Sequence, residues 1–429
     1  MPPHNPIPSA HFPLKQHARP DGAPAFPLQM KHWLILLRAA LILSCGILNQ
    51  TLARAETDHP CLQHLTRRDC LVVADPTGRI LLEKNASRPF VPASILKIAT
   101  AMTALHYLGP TYRFETAFYV DSEGNLKVKG YGDPLFISEV MLNISDALSR
   151  KIGRFGDLII DDTYFAPGIT IPGQGTSTNP YDAPVGAFCA NFNTIRFHRD
   201  GNGKVVSSET QTPITPLARK KINALNLKKG RQVVSHSGRD AARYAGELLL
   251  HFLNTKGVKN NGRMRFGKVN RQDVLIYRYH SRFTLETVIR KMLEFSNNFM
   301  ANQLFIATGA RVYGPPGTLE KGINATQHYL KRNLSLKHID VTEGSGLSRK
   351  NRLTGLDMLI LLKGFEPYRH LLKSKNGLRF KTGTLRGVHT RAGYLEASEK
   401  DPFYFVISVR GNGKKITAVM DCIRAFYCP

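Results

Sequence analysis

Three short segments have to meet in the folded chain, and they lie far apart along it. Ser94-Ile95-Leu96-Lys97, Ser296-Asn297-Asn298 and Lys381-Thr382-Gly383 occur in that order, with nearly half the chain between the first two. A Ser and a Lys three apart are common by chance, and Lys-Thr-Gly is nearly as weak alone. Local context gives the set its weight. Pro92-Ala93-Ser94 leads into Ile95, Leu96, Ile98, Ala99, Ala101, Met102, Leu105 and Leu108, apolar at helical period and stopped by Gly109-Pro110. Ser94 is therefore expected at a helix N-terminus, where free backbone N–H groups and the helix dipole favour developing negative charge. Lys97 follows one turn on, within reach of the Ser94 hydroxyl. Ser296 comes after a second periodic run (Leu285, Val288, Ile289, Met292, Leu293) and before a helical stretch at 299–307, so it should sit between two helices. Lys381 opens a segment, 381–394, that precedes the β-rich 403–409, and the two read as an edge strand beside a central one.

The chemistry suits these residue types. A serine hydroxyl is a poor nucleophile until a base takes its proton. Lys97 is such a base only when neutral, which burial and a nearby cation such as Lys381 would promote. Ser296 can relay a proton to a leaving amine, and Asn298 can hydrogen-bond a substrate amide. Lys381, Thr382 and Thr384 can hold a terminal carboxylate, with Gly383 in the same substrate-binding strand. The N–H groups of Ser94 and Thr384 would form an oxyanion hole.

At these residues the chain resembles the D-Ala-D-Ala carboxypeptidase/endopeptidase family of low-molecular-mass penicillin-binding proteins, the class C type (peptidase family S13). Glu343-Gly-Ser-Gly-Leu-Ser-Arg and the residues after it to Thr354 are similar to that family's D-G-S-G-L-S-R stretch. Lys381-Thr-Gly-Thr-Leu and Ala392-Gly-Tyr-Leu395 match its K-T-G-T-L region. Asp161-Asp-Thr-Tyr-Phe165, Tyr181-Asp-Ala-Pro-Val185 and Asn191-Phe-Asn-Thr194 look like its inserted domain. Coverage runs from Cys61 to Ala425. The departures are Glu343 for the usual Asp and Asn297 for the commoner Asp of S-x-N. The resemblance implies a serine DD-peptidase that hydrolyses the terminal D-Ala-D-Ala bond, and D-Ala crosslinks, through an acyl-enzyme. It also implies peptidoglycan stem peptides as substrates, β-lactam antibiotics as inhibitors, and no cofactor. A serine β-lactamase or esterase of the same fold is the alternative, as is a weakly active peptidoglycan-binding scaffold; the intact motifs speak against the scaffold.

The implied fold is α/β (α+β): a β-lactamase/transpeptidase-like domain with a β-rich domain inserted between the first two motifs. Residues 56–112 and 280–429 would form the catalytic domain around a five-stranded antiparallel sheet, closed by a helix over 414–426. Short β-like runs at 114–119, 126–129, 157–160 and 205–208 mark the insert, 113–279. Against the family, 211–270 is short, so an inner third domain is expected to be reduced or missing. Leu71-Val-Val-Ala74 and Arg79-Ile-Leu-Leu-Glu83 flank the hairpin signal Asp75-Pro-Thr-Gly78. Glu139-Val-Met-Leu-Asn143 spells E-x-x-L-N, the pattern around the deacylating glutamate of class A β-lactamases, but it precedes Ser296 where theirs follows it. It reads as a piece of helix.

Export is the next expectation. Lys31-His32, the apolar stretch 33–48 and Ala53-Arg54-Ala55 read as a signal peptide, giving a mature chain from Glu56 in the periplasm. Residues 1–29 precede Met30, an alternative start, and Leu43-Ser44-Cys45 is a weak lipoprotein signal. In an oxidising compartment Cys61/Cys70 and Cys422/Cys428 could pair, leaving Cys189 free, or the first pair could join the C-terminal pair. No Cys/His spacing resembles a zinc site. The net charge is +27, and Thr210 to Arg239 holds seven Lys or Arg and no acid. A second acid-free run covers 255–272, and a third, 367–395, surrounds Lys381. Such patches attract polyanions, so peripheral contact with anionic cell wall or membrane is expected. Nucleic acid is excluded as a partner, because no recognition motif is present and the chain is exported.

Overall fold

Cys70-Leu71-Val72-Val73-Ala74 is apolar at every position, which suits a strand covered on both faces. In the computed structural model, which describes residues 59–225, 227–396 and 401–427, all five are buried. Their strand lies in a six-stranded sheet ordered Lys373–Lys375, Leu378–Leu385, Val388–Leu395, Phe403–Arg410, Cys70–Ala74, Ile80–Lys84. Every pairing is antiparallel. Register sorts the side chains by face, because successive residues of a strand point to opposite sides. Val72 and its partner Val406 join Ala392, Tyr394 and Tyr404 in the core shared with the helical layer. Leu71, Val73, Phe405 and Ile407 pack on the other face against Ile416, Val419, Met420 and Ile423 of the closing helix Lys414–Tyr427.

The sheet differs from expectation in two ways. It has six strands where five were expected, and 381–394 is a hairpin rather than one edge strand. Gly387 supplies the reason for the second, since its φ of 71° is the left-handed backbone a tight turn needs. The extra strand comes from Asn376-Gly377, whose φ values of 53° and 72° fit a type I′ hairpin turn. The Asp75–Gly78 turn forms as expected, with the Gly78 N–H donating to the Asp75 carbonyl at 2.8 Å.

On the helical side, Lys97–Leu108 is buried from Lys97 through Leu105. A helix buried on nearly every side belongs in a core, and this one packs among Leu285–Glu294, Asn298–Tyr313 and Gly355–Phe365. It ends at Gly109, φ 84°.

Residues 115–280 build a second sheet, ordered Met264–Phe266, Leu158–Asp161, Leu126–Gly130, Glu115–Val120, Val274–His280. The first three strands run parallel to one another, which requires crossover connections. Helices Ser138–Ser149 and Gly238–Thr255 cover this sheet through a core of their own. Glu139 lies in the first turn of the former, a helical position as its context suggested. A smaller sheet, Val205–Ser207, Thr194–Arg199 and Lys229–Val233, stands beside them. Within 211–270 the chain forms helices Pro216–Asn223 and Gly238–Thr255 and short strands. Among the described residues no helix is long and apolar enough to cross a membrane.

Cys61 is bonded to Cys422, so a bond joins the two ends of the described chain. That bond belongs to the second of the two arrangements the sequence left open, but only for Cys61, because Cys70 stays a free thiol. Cys70 and Cys189 are buried free thiols, and burial pushes each up to about 12. Cys45, Cys428 and the signal-peptide segment lie outside the described residues. Cys422→Ser is expected to cost about 2–5 kcal/mol and to lower the midpoint of thermal unfolding. A midpoint unchanged in the variant, and in wild type with reductant, would remove this bond from the protein's stability.

Candidate active site

Ser94 owes its position to its neighbours' backbone. Ala93–Leu96 is a 3₁₀ turn that runs straight into the helix Lys97–Leu108, so Ser94 stands at the helix entry as expected. Ala93 holds a φ of 50°, a left-handed backbone that costs a non-glycine residue about 1–3 kcal/mol and persists only when the surroundings impose it. Two glycines do so by close approach. A Cβ on Gly346 would lie 1.8 Å from the Ala93 carbonyl oxygen, and one on Gly383 would lie 2.8 Å from the Ser94 nitrogen. Thr390 adds a tether, its hydroxyl donating to the Pro92 carbonyl at 2.7 Å. The third motif therefore presses against the first because Gly383 carries no side chain.

Lys97 is fully buried. Its Nζ lies 3.0 Å from Ser94 Oγ, 2.8 Å from Asn298 Oδ1 and 2.7 Å from the Ser345 carbonyl oxygen. Burial drives its pKa well below the ordinary lysine value, and the Lys381 charge lowers it further, while Glu343 opposes the shift. Lys381 is also buried, and burial brings it down to about 8. Its ammonium donates to the Thr382 carbonyl at 2.7 Å.

Ser296 sits at the junction between Leu285–Glu294 and Asn298–Tyr313, half-buried and at a φ of 51°. Asn297 caps the second helix, accepting from the Met300 N–H at 3.0 Å. Asn serves as an N-cap as well as Asp, so the departure at 297 leaves the junction intact. Lys373–Lys375 pairs only with Leu378, Arg379 and Phe380. Beyond it, among the described residues, Lys381–Leu385 has an unpaired outer edge, where Thr382 and Thr384 are exposed. Ser94, Lys97 and Asn298 are thus joined by hydrogen bonds, and Gly383 by close packing. Among the described residues no hydrogen bond ties Ser296, Thr382 or Thr384 side chains to them. No cluster of metal-ligating side chains occurs among the described residues either.

Residues 48–373 match the D-Ala-D-Ala carboxypeptidase 3 (S13) family, a span well over half the chain. The chain belongs to that family. It is a serine-type DD-peptidase by that membership, and the matched span holds Ser94, Lys97, Ser296 and Asn298 but ends before Lys381. A D-alanyl-D-alanine carboxypeptidase DacB of Haemophilus influenzae is 24% identical over 402 residues, covering 78% of this chain and 83% of that one. The crystal structure of penicillin binding protein 4 (dacB) from Haemophilus influenzae superimposes with a TM-score of 0.70 at 21% identity, covering 86% of this chain and 99% of that chain. Its complex with a β-lactam gives 0.66 at 20% identity, covering 86% and 98%.

In this S13 peptidase the stretch after Glu343 also builds the site, a task the motifs did not reveal. Glu343 is fully buried and accepts from the Ser345 N–H at 2.7 Å, the Ser345 hydroxyl at 2.6 Å and Asn351 Nδ2 at 2.7 Å. The turn so held presents the Ser345 carbonyl to Lys97, while Gly344 accepts from the Thr100 hydroxyl at 2.6 Å. A carboxylate surrounded by Gly and Ser, ahead of Asn351, was the available signal, because such a group survives burial only by capturing several donors.

Proposed function

We propose that this peptidase cleaves D-Ala-D-X bonds of peptidoglycan stem peptides with Ser94 as nucleophile and neutral Lys97 as its base. One observation carries the reading. Of the three partners of Lys97 Nζ, the Asn298 and Ser345 oxygens carry no hydrogen and can only accept. A neutral amine donates twice and keeps one lone pair, so those two donors are taken and the lone pair is left for the Ser94 hydroxyl. Attack then forms the bond from Ser94 Oγ to the carbonyl carbon as the proton passes to Lys97. The N–H groups of Ser94 and Thr384 hold the oxyanion. Ser296 passes a proton to the departing D-amino acid, and water releases the acyl group by the reverse route. Lys381, Thr382 and Thr384 hold the terminal carboxylate along the open strand edge, and Asn298 orients the amide.

This mechanism needs Lys97 neutral and Lys381 charged. kcat/KM should therefore rise with pH through the lowered Lys97 pKa and fall again through the Lys381 value of about 8. In Lys381→Arg, whose side chain stays charged, the alkaline limb should move upward. A limb that stays in place would assign that titration to another group.

The reading extends to the whole chain. Residues 113–279 form a domain inserted into a catalytic domain of 56–112 and 280–429, and the chain works in the periplasm after cleavage behind Ala55. Its basic surface, including Lys220, Lys221, Lys228 and Lys229, draws it to anionic cell wall or membrane. Digestion of pentapeptide and of crosslinked muropeptide, read by mass spectrometry, tests the central claim. Loss of one D-Ala, opening of the crosslink, or both, is expected. Two substrates returned intact would sink it.

A further inference from the structure

The strands Leu126–Gly130, Leu158–Asp161 and Met264–Phe266 are parallel, so their carboxyl ends share one edge of the second sheet. In open sheets with helical crossovers, ligands bind in the crevice outside those ends. A cavity of about 990 Å³ lies there. Lys129 and Tyr131 come from the end of the first strand, Asp162 from the second, and Phe266 and Lys268 from the third. The N-terminal end of Gly238–Thr255 adds Arg239, and a helix of that length brings partial positive charge. None of Ser94, Lys97, Ser296, Asn298 or Lys381 lines it.

The lining has a clear sign and shape. Lys129, Arg239 and Lys268 face one acid, Asp162, and Lys129 also bridges Asp161 at 3.3 Å. Arg239 and Lys268 make no ion pair among the described residues, and Arg239 stacks over the Phe266 ring at 4.4 Å. Tyr131 and Tyr164, both on the lining, meet edge to face at 5.0 Å, each ring offering an apolar face of the kind sugar rings lie against. A separate link runs to the serine site. Gly186, on the cavity wall, is held by Gln303 of the helix that begins at Asn298, through hydrogen bonds of 3.3 and 2.5 Å.

We propose that this cavity is a second substrate site, taking a carboxylate-bearing glycopeptide: a disaccharide with its acidic peptide. It retains one peptidoglycan strand while the serine site cuts, and so rests on the function proposed above. The probe is a soluble disaccharide–tetrapeptide, which lacks a D-Ala-D-Ala end. It is titrated by calorimetry into the full mature chain after the serine site has been blocked with penicillin. Saturable binding is expected, weakening with salt and falling at least about tenfold in Arg239→Glu/Lys268→Glu and by less in Arg239→Gln/Lys268→Gln. D-Ala release from a small tripeptide should stay unchanged in both variants. Absence of saturable binding, or equal affinity in wild type and variants, would overturn the site. A wild-type chain that releases no D-Ala from the tripeptide would instead overturn the functional reading beneath it.

Discussion

Ser94→Ala is expected to abolish covalent labelling by a fluorescent penicillin and to lower kcat for D-Ala release by about 10⁴-fold or more, the usual cost of losing a nucleophile. The variant deletes one hydroxyl at a half-buried position. The turn around it is fixed by other groups: Thr390 on the Pro92 carbonyl, and Gly346 and Gly383 packed against the backbone. Lys97 keeps its Asn298 and Ser345 contacts at 2.8 and 2.7 Å. The fold should therefore survive, and an unchanged unfolding midpoint alongside lost labelling separates chemistry from collapse. Labelling that persists in the variant would move the nucleophile to another residue.

Much of this site was legible because its residues come with local signals. Pro92-Ala93-Ser94 before an apolar helical run placed Ser94 at a helix entry, and a periodic apolar run before Ser296 with a helical stretch after it placed Ser296 between helices. These are short-range patterns, which sequence carries well. What it carried poorly was contact between distant segments. Glu343 holds the turn that presents the Ser345 carbonyl to Lys97, across more than half the chain's length from Ser94. Nothing near Glu343 in sequence announces Lys97. The same holds for the disulfide, since Cys61 lies closer along the chain to Cys70 but bonds Cys422. Spacing favoured neither pairing, and the sheet decided it. Cys70 points into the core beneath the helices, whereas Cys61 packs on the opposite face with the closing helix. The sixth strand is a different case, because its hairpin is short-range and Asn376-Gly377 is itself a strong two-residue turn signal.

The reaction class gives the second large effect. The enzyme is expected to be acylated readily by penicillin and to release it slowly, so that it acts as a DD-peptidase inhibited by β-lactams and not as a β-lactamase. Ser94, Lys97, Ser296 and Lys381 are common to both classes, so acylation does not separate them. Deacylation does. In class A enzymes a glutamate holds a water against the ester, and two glutamates here invite comparison. Glu139 has the local pattern but lies in the helix Ser138–Ser149 of the second sheet. Glu343 is close enough to raise the Lys97 pKa, yet both its oxygens are occupied, Oε2 by Ser345 and Oε1 by Ser348 and Asn351. A carboxylate so engaged has no lone pair free to take a proton from water. The bound drug keeps its ring in the path by which water reaches the ester, whereas the natural acyl group has lost its leaving D-amino acid to solvent. Hydrolysis of a chromogenic cephalosporin should then run about 10²–10⁴-fold slower than D-Ala release from a D-Ala-D-Ala peptide, the worth of one positioned general base. Rapid, sustained cephalosporin turnover without D-Ala release would reverse the assignment and require a carboxylate that moves into the site once the ester has formed.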